Sequence, residues 1–238
     1  MSDRHELVKT LPWLRQGTTC LLAAVDNLTD DLLRAPSALP GWTKAHVVGH
    51  LARNAEALIR LANWAGTGVE TPMYASRDQR AVEIEEAANL SGAVLRSEVA
   101  TTARALDEAI ATLDNGGWRA TVRSALGRVV PATEIPWLRI REVWLHAIDL
   151  RAGVTVEDLP AGVIDLLLDD TTGILSGKDS CPAVLLTPSD RDRTWQLRGS
   201  RGQPASITAP AAELAGWLTG RIPGGTIAAH LPQLPTWL

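Results

Sequence analysis

Ile140-Arg141-Glu142-Val143-Trp144-Leu145-His146-Ala147-Ile148-Asp149-Leu150 decides how the rest of this sequence is read. At about 100° per residue, a helix through it sets Glu142, His146 and Asp149 within an arc of roughly 60°. Leu138 and Leu145 share that side, so the polar groups are expected to face the interior. Two carboxylates and an imidazole buried side by side are costly unless something compensates them. A divalent metal ion is the first compensation to look for, and its third ligand must come from elsewhere in the chain.

Helical metal ligands recur at i,i+4 because that spacing stacks two side chains on one face. The sequence offers two such pairs, His46/His50 and Glu142/His146. The first lies on a helix expected from the N-cap Thr43 to about Ala65, ahead of Gly66 and Gly68. Val47, Leu51, Leu58 and Leu61 form its apolar face, and His46, His50 and Asn54 run beside that face as a polar stripe. An isolated E-x-x-x-H is most often a hydrogen-bonded pair with no ligand. Two pairs on neighbouring helices of a bundle bring a metal site to roughly even terms with that reading.

Working outward, Pro12 is expected in the first turn of a helix that ends near Asn27, with Leu14, Thr18, Leu21, Val25 and Leu28 as its stripe. Ser76-Arg77-Asp78-Gln79 carries a capping-box pattern and opens a helix containing Arg80. Ser91 starts another, with a seam through Leu95, Val99, Thr102, Leu106, Ile110 and Leu113, which Asn115-Gly116-Gly117 stops. Thr121 to Val130 reads as a small hairpin around Leu126-Gly127-Arg128. Thr133 is expected to cap the helix of the opening stretch, which closes near Gly153. Beyond it lie a helix over 161–175, strands at 183–187, 194–198 and 205–208, and a helix over 210–219. The expected architecture is mainly α: an antiparallel four-helix bundle, residues 1–153, followed by a small α+β domain, residues 154–238.

Composition narrows the function. With 238 residues, 45% hydrophobic and 21% charged, the chain has the make-up of a globular protein with a full core. A net charge of −4, without a basic block, argues against a nucleic-acid partner. No apolar run is long enough for a membrane span, and Met1-Ser2-Asp3-Arg4-His5-Glu6 does not read as a signal peptide. A cytoplasmic protein is expected, for which a monomer is plausible and the sequence does not fix the oligomeric state. Cys20 and Cys181 lie outside any ligand spacing and read as reduced, largely buried thiols. Of the 23 basic residues three are Lys and twenty Arg, so an arginine by itself says little about function.

Leu39-Pro40-Gly41-Trp42-Thr43 with His46 and His50, followed by Glu142-Val143-Trp144-Leu145-His146-Ala147-Ile148-Asp149-Leu150, resembles the DinB-like metal-binding bundle superfamily, and within it the mycothiol-dependent maleylpyruvate isomerases. Asn63-Trp64-Ala65, Thr71-Pro72-Met73-Tyr74, Gly127-Arg128 with Val130-Pro131, and the closing Trp237-Leu238 support the likeness, which weakens toward the C-terminus. The resemblance implies a zinc ion (Zn2+) held by His50, Glu142 and His146. It leaves His46 as a surface or supporting group and Asp149 as an acceptor orienting a ligand. Three protein ligands leave a coordination position open, as in catalytic zinc sites.

The resemblance further implies mycothiol as thiol cosubstrate, with neither Cys20 nor Cys181 required. It implies Arg80 and Arg221 as catalytic groups at the substrate carboxylates, and a C-terminal domain of sterol-carrier type completing the active site. The expected reaction is cis–trans isomerisation of maleylpyruvate to fumarylpyruvate in gentisate degradation, by reversible thiolate addition. Three other readings share the scaffold. A mycothiol S-transferase would release a stable thioether, a non-catalytic metal-stabilised module would plug the fourth position, with His46 for instance, and a metal-dependent hydrolase would activate water.

Overall fold

The structure, a computed structural model, describes residues 3–199, 204–227 and 231–237. Met1, Ser2 and Leu238, used above in reading the two ends, lie outside the described residues. The chain divides into two compact units, Met1–Val154 and Thr155–Leu238. Among the described residues no helix is long and apolar enough to cross a membrane.

The first unit is a helical bundle built on α1 (Leu7–Asp26), α3 (Lys44–Thr67), α5 (Gly92–Ala111) and α7 (Ile135–Asp149). Shorter helices α2 (Asp30–Arg34), α4 (Arg77–Ala88) and α6 (Asn115–Arg119) fill the connections. Helix α3 is the axis of the unit: it packs against α5, α4 and α7, while α1 packs against α7. Neighbours on three sides explain why its buried arc is wider than the single stripe of a surface helix. Leu51, Leu58 and Leu61 are fully enclosed there with Leu14 and Leu21 of α1, Leu95 and Leu106 of α5, and Trp137 and Trp144 of α7.

Helix starts follow the sequence where a hydroxyl can cap them. Thr43 accepts from the His46 N–H, Ser76 from Gln79 N–H and Ser91 from Val94 N–H. At Ser76 only half the expected box forms, because the Gln79 side chain donates to Glu83 instead. Gly68 closes α3 in the left-handed conformation, at φ 74°.

Three expectations are corrected. Pro12 does not open α1 but lies inside it, since Lys9 and Thr10 already donate to the Glu6 carbonyl. The carbonyl that Pro12 cannot engage is that of Val8, 81% exposed, so water can satisfy it. Thr133 does not cap α7. A 3-10 turn, Ala132–Glu134, leads into that helix with Pro136 in its first turn, and the Thr133 hydroxyl meets His5 Nδ1 at 3.3 Å. Asn115-Gly116-Gly117 begins α6 instead of marking a stop, because the Asp114 carboxylate accepts from Gly117 N–H at 2.8 Å.

Strands β1 (Thr121–Arg123) and β2 (Val129–Pro131) form the expected antiparallel hairpin, with Gly127 at φ 78° in its turn. In the second unit α8 (Ala161–Ser176) and α9 (Ala211–Leu218) accompany β3 (Val184–Pro188), β4 (Trp195–Leu197) and β5 (Ala205–Ala209). The sheet order is β4-β3-β5, with β3 antiparallel to β4 and parallel to β5. Val184, Leu186, Leu197 and Ile207 are buried, as are Val163 and Leu167 of α8, which packs against β4, and Leu214 of α9, which packs against β3. A short helix, α10 (Gly224–Ile227), follows. The mainly α chain with a small α+β part agrees with the fold class read from the sequence.

Candidate metal centre

Helices α3 and α7 lie side by side and bring His50 against Glu142 and His146. His50 Nε2 stands 2.8 Å from Glu142 Oε2, and His146 Nε2 stands 3.2 Å from the same oxygen. The two imidazoles meet edge to face, with centroids 4.9 Å apart. Among the described residues this is the group of three or more His, Cys, Asp or Glu side chains placed to hold an ion. The His50 side chain is 4% exposed and Glu142 24%, so the cluster is closed on the α3 side and reaches solvent past the glutamate.

Behind His146, the Asp149 carboxylate (1% exposed) faces Nδ1 at 2.9 Å. That contact places the Nδ1 proton and leaves Nε2 directed at Glu142. Burial opposes the charged form of His146, but hydrogen bonds to Asp149 and Glu142 outweigh it and raise its pKa above 6.5. Burial would likewise raise Glu142, yet its bonds to His146 and His50 hold it well below 4.5. For His50 burial dominates over the Glu142 contact and lowers the pKa.

His46, the other half of the first pair, is committed elsewhere. Its Nδ1 accepts from Thr43 N–H at 3.2 Å, and its Nε2 lies 3.1 Å from Glu85. The helix start therefore consumes the residue that the spacing offered as an alternative ligand. Trp42 stacks on His46 and sets its edge against His50, centroids 5.6 Å apart, so it walls the cluster.

Arg80 comes from α4 and donates from Nη2 to His50 Nδ1 at 3.3 Å. Its guanidinium lies 5.5 Å from the Tyr74 ring centre. Burial pushes the Tyr74 phenol up, against the Arg80 charge and hydrogen bonding from Arg80 and Asn54. The loop carrying Tyr74 is held by Arg60, whose Nε and Nη2 both donate to the Met73 carbonyl, at 2.9 and 2.6 Å. The sequence also left Arg139 unremarked. It is 1% exposed and donates from Nη1 to the Leu51 carbonyl at 2.8 Å and to Asn54 Oδ1 at 2.7 Å. Its signal was its place three residues before Glu142, on the arc shared with His146.

The model of the mycothiol maleylpyruvate isomerase N-terminal domain matches residues 14–151. The chain belongs to this family. Two solved structures agree with it over 100% of both chains at 30% sequence identity: the mycothiol-dependent maleylpyruvate isomerase, TM-score 0.91, and a histidine-to-alanine mutant of that protein, TM-score 0.92. No curated protein matches the sequence. The chain is thus an enzyme of the mycothiol-dependent maleylpyruvate isomerase family.

The cluster fits a divalent cation on its own chemistry. Two imidazole nitrogens and a carboxylate oxygen are a donor set that zinc accepts at about 2.0–2.2 Å. With Nδ1 donating to Asp149, neutral His146 faces the Glu142 oxygen lone pair to lone pair, and only a proton or a cation between them removes that repulsion. Arg221, by contrast, follows Gly220 in the second unit, where its Nη1 donates to the Thr219 carbonyl at 2.7 Å. Neither Cys20 nor Cys181 forms a disulfide among the described residues.

Proposed function

We propose that this enzyme catalyses the mycothiol-dependent cis–trans isomerisation of maleylpyruvate to fumarylpyruvate, in gentisate degradation in the cytoplasm, with His50, Glu142 and His146 as the ligands of one divalent ion. The observation that carries the reading is the convergence of these three side chains from two helices, in a chain that shares its family and its whole fold with a maleylpyruvate isomerase. Zinc is the ion favoured by the two-nitrogen, one-oxygen donor set, though nickel, iron and manganese also accept it. When bound, the ion supplies a positive field that lowers the pKa of a thiol and holds it as thiolate at neutral pH.

The protein's own groups then govern the substrate. The mycothiol sulfur bonds to one alkene carbon, and the π electrons move onto the conjugated carbonyl oxygen as an enolate. The former double bond is now single and rotates. Collapse of the enolate restores the double bond, breaks the carbon–sulfur bond and returns the thiolate, so no net oxidation or reduction occurs. Arg80, beside His50, is assigned to one carboxylate and to the developing negative charge, since a guanidinium holds a carboxylate through two parallel hydrogen bonds. Arg221 is assigned to the other carboxylate on the family resemblance alone. Asp149 keeps His146 in the tautomer that offers Nε2.

The test is the consumption of maleylpyruvate followed spectroscopically with and without mycothiol, beside His50→Ala. Turnover is expected only with the thiol and the intact ligand set. Turnover without thiol would remove the addition mechanism and leave the metal site standing, and a stable thioether product would point to an S-transferase.

A further inference from the structure

Arg139 is a poor residue to bury for stability alone. Its guanidinium is fully enclosed in α7, and burial presses its pKa down to about 10, so it stays charged at neutral pH. One nitrogen, Nη1, serves both the Leu51 carbonyl and Asn54 Oδ1, while Nη2 is buried without a hydrogen-bond partner among the described residues. Well-packed apolar side chains commonly replace such buried charges at no loss of stability. The charge must therefore be explained by where its bonds go.

They go to the neighbourhood of one ligand. Leu51 follows His50 directly, and Asn54 lies one turn further along α3 on the same face. On α7, Arg139 precedes Glu142 by three residues and His146 by seven, again on one face. The two helices are thus cross-linked in adjacent layers, His50 to Glu142 in one and Asn54 to Arg139 in the next. Resting on the metal reading above, we infer that Arg139 is a positioning residue: its Nη1, bonded to both the Leu51 carbonyl and Asn54, sets the register of α3 against α7 that aims His50 at Glu142 and His146.

The experiment separates register from stability. In the pair variant Asn54→Leu/Arg139→Met both partners become apolar, so neither is orphaned by loss of the other. The thermal midpoint of its metal-free form is expected to be kept or raised. Its cobalt(II) affinity, measured by chelator competition, is expected to fall 10- to 100-fold, the range typical for groups that orient metal ligands. The visible absorption band of the bound cobalt should change with it. Arg139→Lys keeps the charge but carries its ammonium one bond short of the Nη1 position that meets both acceptors, and should fold with an intermediate cobalt affinity. Wild-type cobalt affinity and spectrum in either folded variant overturns the inference. So does a pair variant that fails to fold, because the pair would then be an element of stability. Wild-type protein that takes up neither cobalt nor zinc would instead sink the metal reading itself, which is a distinguishable result.

Discussion

Asp149 accepts the Nδ1 proton of His146 at 2.9 Å with a side chain only 1% exposed, from the side of the imidazole away from Glu142. Asp149→Ala removes the acceptor, leaving the buried Nδ1–H unpaired and the ring free to turn. A charge-assisted hydrogen bond of this kind contributes about 1.5–3 kcal/mol. If it acts mainly on the ligand state of His146, that loss becomes a decrease in ion affinity of roughly 10- to 150-fold. Asp149→Asn keeps an acceptor at the same place and loses only the charge, so its decrease should be the smaller of the two. The assay is zinc affinity by competition with a chromophoric chelator, on protein whose helical signal matches the wild type. Unchanged zinc affinity in folded Asp149→Ala would refute the reasoning, because an oriented His146 would then contribute nothing to binding.

Proton competition gives a second test. The raised pKa of His146 stabilises the ion-free protein below pH 6.5, and that contribution is lost as pH rises through the raised value. Ion binding has the opposite sign, so zinc affinity should weaken as pH falls, beginning above pH 6.5, and a flat profile from pH 8 to 6 would contradict it. Arg80→Ala should lower kcat/KM by about 10²–10³-fold, as expected for a lost contact to developing charge, while zinc affinity stays within a factor of a few. Loss of zinc instead would recast Arg80 as a scaffold of His50. Gly17→Ala would set a methyl 2.6 Å from Trp144 Nε1 and 2.7 Å from Val143, at the α1–α7 contact. Overpacking there should cost about 1–3 kcal/mol and lower the thermal midpoint, and a midpoint equal to wild type would show that α1 yields freely.

Glu142, His146 and Asp149 were legible in the sequence because a helical repeat of 3.6 turns spacing into direction, and the apolar residues around them said which side was inside. His50 was legible as one of two candidates. Periodicity alone could not choose it over His46, because that choice depends on Thr43 and Glu85, and Glu85 is distant in sequence and brought near by α4. Arg139 escaped notice because an arginine inside Trp137-Leu138-Arg139-Ile140 reads as a long side chain reaching for water, one among twenty. Only the meeting of α3 and α7 shows that it is enclosed. Pro12 misled for a related reason: a proline marks a first turn only where the preceding residues have no acceptor of their own, and here Glu6 supplies one.

The left-over histidine has a practical consequence. Since His46 Nδ1 is occupied in starting α3 and its Nε2 faces Glu85, added metal should saturate at one equivalent per chain, and overloading with zinc or nickel should not recruit a neighbouring imidazole. Replacing that residue with glutamine, which at the third helical position can also accept from the Thr43 N–H, would strip the chain of a decoy without touching the cluster one turn below.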